Sequence, residues 1–260
     1  MHIRTYAEHN CSLHLPMETG RAMAHCFAMK TVRVASYNIR KAIGTDRRRV
    51  PERVIDVLNE LDADIIALQE ADRRFGVRSA ALPPWLLESI SPYRPVPLNV
   101  HVDSMGWHGN AILVRKDVEI GAHDVLHLPC LEPRGATMAE VTLGKASLRV
   151  FGMHLDLSGL WRRKQAAAVI HAASSRDAMP TVLMGDLNEW SAERGCLADF
   201  ARHYRFAPCG RSFHARRPVA RLDRIMHCGR LKLVDCGVHE SAAARKASDH
   251  LPIWAEFGLG

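Results

Sequence analysis

Residues 181–188, Thr-Val-Leu-Met-Gly-Asp-Leu-Asn, join an apolar run to a polar end. The run Thr181–Met184 predicts a buried strand that stops at a glycine. Side chains at positions i and i+2 of a strand share a face, so Asp186 and Asn188 are predicted to point the same way. A carboxylate can orient or deprotonate water, and a carboxamide can donate to a phosphate oxygen. The alternative is an Asx turn that only closes the strand, since Asp and Asn both favour turns.

Polar side chains stand at the ends of other predicted strands as well. The run Thr31–Asn38 alternates like a strand and ends in Asn, and Asp64–Glu70 ends in a carboxylate. The strand Leu148–His154 ends in His, and Asp249-His250 directly precede the last strand, Leu251–Phe257. Each residue alone is more often a turn residue or a solvated charge. Because ligands bind outside the carboxyl ends of strands in α/β sheets, the recurrence predicts a shared site.

Predicted helices alternate with these strands. Pro51 suits a first helical turn, and the apolar residues that follow it at helical spacing are Val54, Val57, Leu58 and Leu61. Ser158 could cap a second helix, Trp161–Ser174, whose inner face is predicted to carry Trp161, Ala166, Val169, Ile170 and Ala173. A polar loop is predicted over Ser241–Ala247. The strand–helix–strand order predicts a layered α/β architecture.

Composition and charge limit the class of protein. The chain has 260 residues, of which 47% are hydrophobic and 24% charged, as in a soluble globular protein. A net charge of +7 favours anionic partners such as nucleic acid, phospholipid headgroups or phosphorylated small molecules. Seven cysteines without a Cys-x-x-Cys pair argue against a disulfide framework or zinc cluster. Reduced thiols, no signal peptide and no apolar run near the ~20 residues of a membrane span predict a cytoplasmic protein.

Two regions are expected along the chain. Residues 1–30 show no clear periodicity and are predicted to be a poorly ordered extension, or else to include a helix near Glu18–Met29. Residues 31–260 contain no internal repeat, low-complexity tract or linker, so we expect a single domain.

The polar residues at the strand ends suggest one kind of chemistry. No Ser or Cys lies in a nucleophile setting such as Gly-x-Ser-x-Gly, whereas carboxylates, carboxamides and imidazoles are all present. Carboxylate oxygens suit a hard cation such as Mg²⁺ or Mn²⁺, and imidazoles and amides can neutralise charge that develops on phosphorus. This combination is typical of metal-assisted phosphoester hydrolysis by water.

Six ordered motifs resemble those of the endonuclease/exonuclease/phosphatase superfamily, which includes exonuclease III, deoxyribonuclease I, neutral sphingomyelinases and inositol polyphosphate 5-phosphatases. They are Ser36-Tyr37-Asn38, Leu68-Gln69-Glu70, Gly152-Met153-His154-Leu155, Gly185-Asp186-Leu187-Asn188, Leu222-Asp223-Arg224-Ile225 and Ser248-Asp249-His250-Leu251-Pro252. The resemblance runs from about Thr31 to Phe257. It implies an α/β fold, a four-layer α/β/β/α sandwich of two mixed sheets like that of deoxyribonuclease I.

The resemblance also implies roles for the motif residues around a metal. Glu70 is similar to the family's principal metal ligand, supported by Asn38, with Asp249 close to the metal. The metal implied is Mg²⁺, with Mn²⁺ as an alternative. Asp186 resembles the residue that activates the attacking water, and Asn188 the donor to the scissile phosphate.

Further roles fall on two histidines and their partners. By resemblance, His250 would stabilise the phosphorane or protonate the leaving group, and Asp223 would hydrogen-bond His250 and fix its tautomer. His154 is similar to a second phosphate-contacting histidine. Arg134, in Glu-Pro-Arg-Gly, falls where relatives carry another phosphate-binding group.

Departures from the motifs bear on the substrate. Abasic-site endonucleases usually read Asn-Gly after the first motif and Ser-Gly-Val before the middle strand. Here Ile39-Arg40 follow Asn38, and Gly109-Asn110 precede the strand. No tyrosine matches the middle tyrosine of those DNA enzymes. The pattern is therefore closer to the bacterial metal-dependent hydrolase branch, whose members act on varied phosphodiesters, lipid headgroups included.

We therefore expect a monomeric, Mg²⁺-dependent phosphodiesterase that acts on a phospholipid, a nucleic acid or a small phosphodiester. The first alternative is a DNA or RNA endo- or exonuclease, with Arg40 and Arg47–Arg49 along a basic groove. The second is a phosphate-binding protein without catalysis. Such a protein would be expected to lose the metal-binding Glu or the Asp-His pair, and both are present here.

Overall fold

The computed structural model describes residues 31–72, 79–98 and 103–259. Its strands are β1 (Thr31–Asn38), β2 (Ile65–Gln69), β3 (Tyr93–Pro95), β4 (Ala111–Arg115), β5 (Glu119–His127), β6 (Gly135–Leu143), β7 (Ala146–His154), β8 (Thr181–Asp186), β9 (Arg205–Phe206), β10 (Asp223–His227), β11 (Lys232–Val238) and β12 (Ile253–Gly258). Its helices are α1 (Pro51–Leu61), α2 (Pro84–Ile90), α3 (Gly159–Ser174), α4 (Cys196–Ala201) and α5 (Ala242–Ala247). The predicted N-terminal extension, 1–30, lies outside the described residues.

The strands form two mixed six-stranded sheets. The first has the order β11-β12-β1-β2-β4-β3, and the second has the order β5-β6-β7-β8-β10-β9. Each sheet has one parallel pair, β1 with β2 and β7 with β8, and its other pairs are antiparallel. The sheets pack face to face, and their contact contains buried residues such as Val34, Ile65, Val150, Val182 and Ile253.

Helices cover the outer faces of both sheets, which gives four layers. α1, α2 and α5 pack on the first sheet through buried residues such as Leu58, Leu87 and Ala244. α3 and α4 pack on the second sheet through residues such as Val169 and Phe200. The α/β/β/α sandwich expected from the sequence is therefore confirmed. No helix within the described part of the chain is long and apolar enough to cross a membrane.

Two local predictions were wrong. The predicted polar loop Ser241–Ala247 is helix α5, whose N-cap Ser241 accepts a hydrogen bond from the backbone amide of Ala244 at 3.0 Å. Four alanines and this cap favour a helix even in a short segment. On α3, Ala166, Val169 and Ala173 are buried as predicted and Ile170 packs partly buried against the same core, but Trp161 is only half-buried.

Two polar side chains are also buried on α3, which was not predicted. Gln165 is fully buried, where its Oε1 accepts from the backbone amide of Asp156 at 2.8 Å. Arg162 is 8% exposed and pairs with Glu189 at 3.2 Å. Buried polar groups are tolerated when they have hydrogen-bond or ion-pair partners. The spacing of apolar residues in the sequence does not reveal such partners.

Strand pairing brings the polar strand ends to one edge of the sandwich. In the first sheet, Asn38 at the end of β1 lies opposite Gln69 of β2. Glu70, the next residue after Gln69, therefore lies close to Asn38. In the second sheet, Asp186 at the end of β8 is flanked by His154 of β7 and by Asp223 of β10.

Candidate active site

The carboxylate of Asp186 lies at the centre of the strand ends and is 1% exposed. Its Oδ1 accepts from the backbone amide of Asn188 at 2.9 Å, and its Oδ2 accepts from Nδ2 of Asn38 at 2.9 Å. The Nε2 atoms of His154 and His250 lie 3.4 and 3.7 Å from the same Oδ2. Four predicted site residues from four segments thus surround one buried carboxylate.

Unusual backbone conformations aim this part of the site. Gly185 has a φ of 155°, and a Cβ built there would lie 1.9 Å from the carbonyl oxygen of Met153. Only glycine therefore allows β8 to approach β7 directly before Asp186. Asn188 has a φ of 49°, and its Nδ2 donates to the carbonyl oxygen of Leu155 at 2.9 Å. Such left-handed residues are strained and cluster at functional sites.

His250 is held by a buried carboxylate. Its Nδ1 lies 2.8 Å from Oδ2 of Asp223, which also accepts from the hydroxyl of Ser212. Burial lowers the pKa of His250, but the carboxylates of Asp223, Asp186 and Asp249 outweigh it and raise the pKa to about 10. The ring is therefore a cation at neutral pH, with Nδ1–H donating to Asp223.

His154, unlike His250, is held in its uncharged form. The ring is 4% exposed, and Nη1 of Arg134 lies 2.9 and 2.8 Å from its two nitrogens. Burial lowers the pKa of His154 to about 3; Asp186 opposes this effect, and the cationic Arg134 and His250 add to it. His154 is therefore neutral at pH 7.

Glu70 and Asp249 lie beside this cluster, and each pairs with a basic residue from the turn after β1. Lys41 Nζ binds Glu70 Oε2, and Arg40 Nε lies 3.3 Å from Asp249 Oδ2. Arg40 and Lys41 have φ values of 46° and 57°, and Glu70 itself has 54°. Each left-handed residue costs roughly 1–2 kcal/mol, so the turn is strained where it meets the two carboxylates.

The last motif is tied to the first by a serine. Ser248 is fully buried, and its hydroxyl donates to the carbonyl oxygen of Asn38 at 2.7 Å. Asp249 and His250 follow directly, so this bond links the loop before β12 to the end of β1. All nine predicted site residues therefore lie at one edge of the sandwich; they are Asn38, Glu70, Arg134, His154, Asp186, Asn188, Asp223, Asp249 and His250.

Comparison with known proteins identifies the family of this chain. The sequence profile of the Endonuclease/Exonuclease/phosphatase family matches residues 35–250. The chain belongs to this family. A search of curated proteins found no match. Because family members are mostly phosphoester hydrolases, membership supports a phosphoester hydrolase in general.

Solved structures of the Endonuclease/Exonuclease/phosphatase family share the fold. A member from Bacteroides vulgatus is 17% identical with a TM-score of 0.71, covering 89% of this chain and 100% of its own. The mannosyl-6-phosphatase Bt3783 of Bacteroides thetaiotaomicron is 19% identical with a TM-score of 0.69, covering 87% and 99%. Truncated Caenorhabditis elegans TDP2 is 21% identical with a TM-score of 0.65, covering 88% and 98%. At these identities the likeness establishes the fold alone.

The carboxylates that the family resemblance assigns to a metal have the chemistry for one. Glu70, Asp249 and Asn38 offer hard oxygen donors, and the carboxylates of Glu70 and Asp249 are 25% and 21% exposed. Both already bind a cationic side chain, as expected of carboxylates suited to a cation. This set fits Mg²⁺ or Mn²⁺.

A second group could also be read as a metal site. Within the described residues, donor atoms of Asp186, Asp223 and His250 lie within 4.8 Å of one another. However, Oδ2 of Asp223 already accepts from Nδ1 of His250 and from the hydroxyl of Ser212, so these groups are hydrogen-bond partners of one another. We therefore interpret this group as a hydrogen-bonded, proton-holding cluster.

Several residues at the site were missed by sequence reasoning. Lys41 binds Glu70, Ser212 binds Asp223, and the ring of Phe213 lies 4.8 Å from that of His250. Lys41 follows Asn38 closely and could have been noticed. Ser212 and Phe213 lie in an irregular segment where no periodicity or motif marks them.

Proposed function

We propose that this protein is a Mg²⁺-dependent phosphodiesterase that uses water as the nucleophile. The observation that carries the proposal is that Asp186 lies between two histidines, one neutral and one protonated. A neutral His154 and a cationic His250 lie 3.4 and 3.7 Å from one carboxylate oxygen. Groups whose pKa values are pushed apart within one site are typical of acid and base catalysis.

Each side chain has a task in this proposal. Asp186 orients water and takes its proton as the water oxygen bonds to phosphorus and the ester oxygen leaves. His250, kept protonated by Asp223, donates to the phosphoryl group and neutralises its developing charge. Asn188 has a second amide hydrogen beyond the one bound by Leu155, and donates it to the phosphate.

The phosphate is held from the other side by His154 and Arg134. Arg134 is 8% exposed and its guanidinium lies beside the ring of His154. It therefore adds positive charge at a position that is largely shielded from solvent. Glu70, Asn38 and Asp249 would hold the Mg²⁺. When bound, the cation polarises a phosphoryl oxygen and neutralises charge on it.

The test is hydrolysis of bis-p-nitrophenyl phosphate by the purified protein with Mg²⁺, with Mn²⁺ and with excess chelator. We expect metal-dependent turnover that Glu70→Ala and His250→Ala abolish. Glu119→Ala and His123→Ala change the same residue types on the exposed face of β5 and serve as controls. Absence of turnover on this compound, DNA and phospholipids would contradict the proposal and favour the non-catalytic phosphate-binding alternative.

A nuclease is the second candidate, because the basic loop 40–49 lies beside the site. Arg49 donates to the carbonyl oxygen of Lys41 at 3.2 Å, next to the Lys41–Glu70 pair. A nuclease predicts DNA or RNA cleavage and binding that weakens steeply with salt. Monomeric state and cytoplasmic location stay predictions, to be measured by light scattering and by fractionation.

A further inference from the structure

Four exposed hydrophobic side chains lie in loops and in the first turn of α3, in segments that follow or adjoin the candidate site. Leu157 and Leu160 come just after His154 and are 62% and 64% exposed. Trp190 is two residues after Asn188 and is 66% exposed, and Val219 is 57% exposed. We call Leu157, Leu160, Trp190 and Val219 the apolar rim. Single exposed hydrophobic side chains are normal on a protein surface, whereas several grouped beside one site can mark an interaction surface.

Direct contacts join the apolar rim to the site. Arg162 donates to the carbonyl oxygen of Leu157 at 2.6 Å and pairs with Glu189, the residue before Trp190. The ring of Trp190 meets that of Phe213 edge-on at 6.0 Å.

The contacts continue on the other side of Phe213. Its carbonyl oxygen accepts from the backbone amide of Val219 at 2.7 Å, and its ring lies 4.8 Å from that of His250. Trp190 and Val219 are thus both linked through Phe213 to His250 of the candidate site.

The segments that carry the rim are strongly basic. Residues 157–164, 190–194 and 211–219 contain one acidic residue, Glu193. Their exposed basic residues are Arg163, Lys164, Arg194, Arg211, Arg216 and Arg217. One of these, Arg163, shares an ion pair with Asp199 at 3.1 Å. An apolar surface fringed by Lys and Arg matches an anionic lipid surface in both hydrophobicity and charge.

We propose that the apolar rim binds the surface of an anionic phospholipid bilayer and presents the candidate active site to lipid headgroups. The inference rests on the proposed function and narrows its substrate class to phospholipid phosphodiesters. Three of the four rim side chains are aliphatic, and aliphatic groups enter the headgroup–acyl boundary but do not stack on bases. The fourth, Trp190, is the residue type enriched at membrane interfaces.

The test is flotation of the purified protein with vesicles of phosphatidylcholine alone and of phosphatidylcholine with phosphatidylglycerol in equal parts. We expect binding to the anionic vesicles only. The double variant Leu157→Ser/Leu160→Ser should lower the partition coefficient about tenfold or more, because two apolar side chains are lost from the interface. Its hydrolysis of soluble bis-p-nitrophenyl phosphate should stay at the wild-type level.

The matched control is Ile90→Ser/Val234→Ser, which removes two exposed aliphatic side chains from α2 and β11. A second pair compares Trp190→Ala with Trp85→Ala, an equally exposed tryptophan on α2. The control of each pair should bind vesicles like the wild type.

Three results would overturn the membrane proposal. They are no flotation of the wild type, equal losses in rim and control variants, and a rim variant that loses affinity for a single-stranded oligonucleotide but not for vesicles. The proposed function is judged separately. Vesicle binding without turnover of the soluble compound would contradict the phosphodiesterase proposal but support the membrane-binding rim. Turnover without vesicle binding would support the phosphodiesterase and contradict the membrane-binding rim.

Discussion

Replacing Asp223 with Asn is expected to lower the pKa of His250 and move the alkaline limit of activity to lower pH. The Asp223 side chain is fully buried, and its Oδ2 lies 2.8 Å from Nδ1 of His250. Burial lowers the pKa of His250, but Asp223 is the largest of the charges that raise it from 6.5 to about 10. The carboxamide has the same shape and no charge, so it removes the main support for the protonated ring.

The size of the effect follows from the pair's geometry. An opposite charge at hydrogen-bonding distance moves a pKa by about one to three, so we expect His250 to titrate near 8 in the variant, with about 3 kcal/mol less stabilisation of its charge. At pH 9, about nine-tenths of the rings are then protonated in the wild type and about one-tenth in the variant. The ratio of kcat/KM at pH 9 to that at pH 7 should therefore fall about eightfold to tenfold.

Two measurements check this prediction. A pH profile of kcat/KM locates the alkaline limb, and an NMR titration of the His250 Cε1 proton in metal-free protein reads the pKa directly. Asp235→Asn, at an exposed position on β11, is the matched control and should leave both unchanged. An alkaline limb and an NMR midpoint that stay at the wild-type values in Asp223→Asn would refute the reasoning.

The same pKa has a consequence for stability. Because the pKa of His250 is higher in the folded state, about 10, than its unfolded value of 6.5, this group stabilises the fold fully below pH 6.5. That stabilisation is lost as the pH rises from 6.5 through 10. The unfolding free energy of the wild type should therefore decline across this window, measured by urea titration, and the decline should be smaller in Asp223→Asn.

Three further substitutions test other parts of the site. Glu70→Gln should weaken Mn²⁺ and Mg²⁺ binding at least about tenfold by calorimetry, since a charged oxygen ligand is lost; unchanged affinity would exclude Glu70 as a ligand. Gly185→Ala should cost about 3 kcal/mol or more in urea unfolding, because its Cβ would lie 1.9 Å from a carbonyl oxygen of β7, whereas Gly229→Ala, with nothing within 4 Å, should cost little. Arg162→Met should destabilise by about 3–5 kcal/mol, because it leaves the carboxylate of Glu189 buried without its cation; a loss under about 1 kcal/mol would show that the pair is unimportant.

The central strands and the two longest helices, α1 and α3, could be predicted because their apolar patterns report burial directly. β2 is buried along its whole length, and α1 buries the apolar positions that recur at helical spacing. α5 was missed because a short alanine-rich segment gives no apolar stripe, and its stability comes from the Ser241 cap and from packing on α1. The inner face of α3 was predicted incompletely for a related reason, since Arg162 and Gln165 are also buried there with polar partners outside the helix.

The sequence motifs predicted which residues would lie close together, but not their charge states. The motifs named the residues that gather around Asp186, while the roles assigned to them stay predictions. The contacts of Ser212 and Lys41 depend on loop conformations that no local pattern encodes. The neutral state of His154 and the charged state of His250 follow only from burial and neighbours, which the fold supplies.

The two histidines show how the fold sets their chemistry apart. Both rings are nearly buried and both face Oδ2 of Asp186, so burial and this carboxylate act on them alike. They differ in their second neighbour, which is the cation Arg134 for His154 and the anion Asp223 for His250. Arg134 comes from the connection between β5 and β6, and Asp223 comes from β10. The order of the strands in the sheet therefore gives each histidine a neighbour of different charge. One carboxylate thereby faces a neutral ring on one side and a cation on the other, so a single buried oxygen adjoins two imidazoles whose pKa values have been moved in opposite directions.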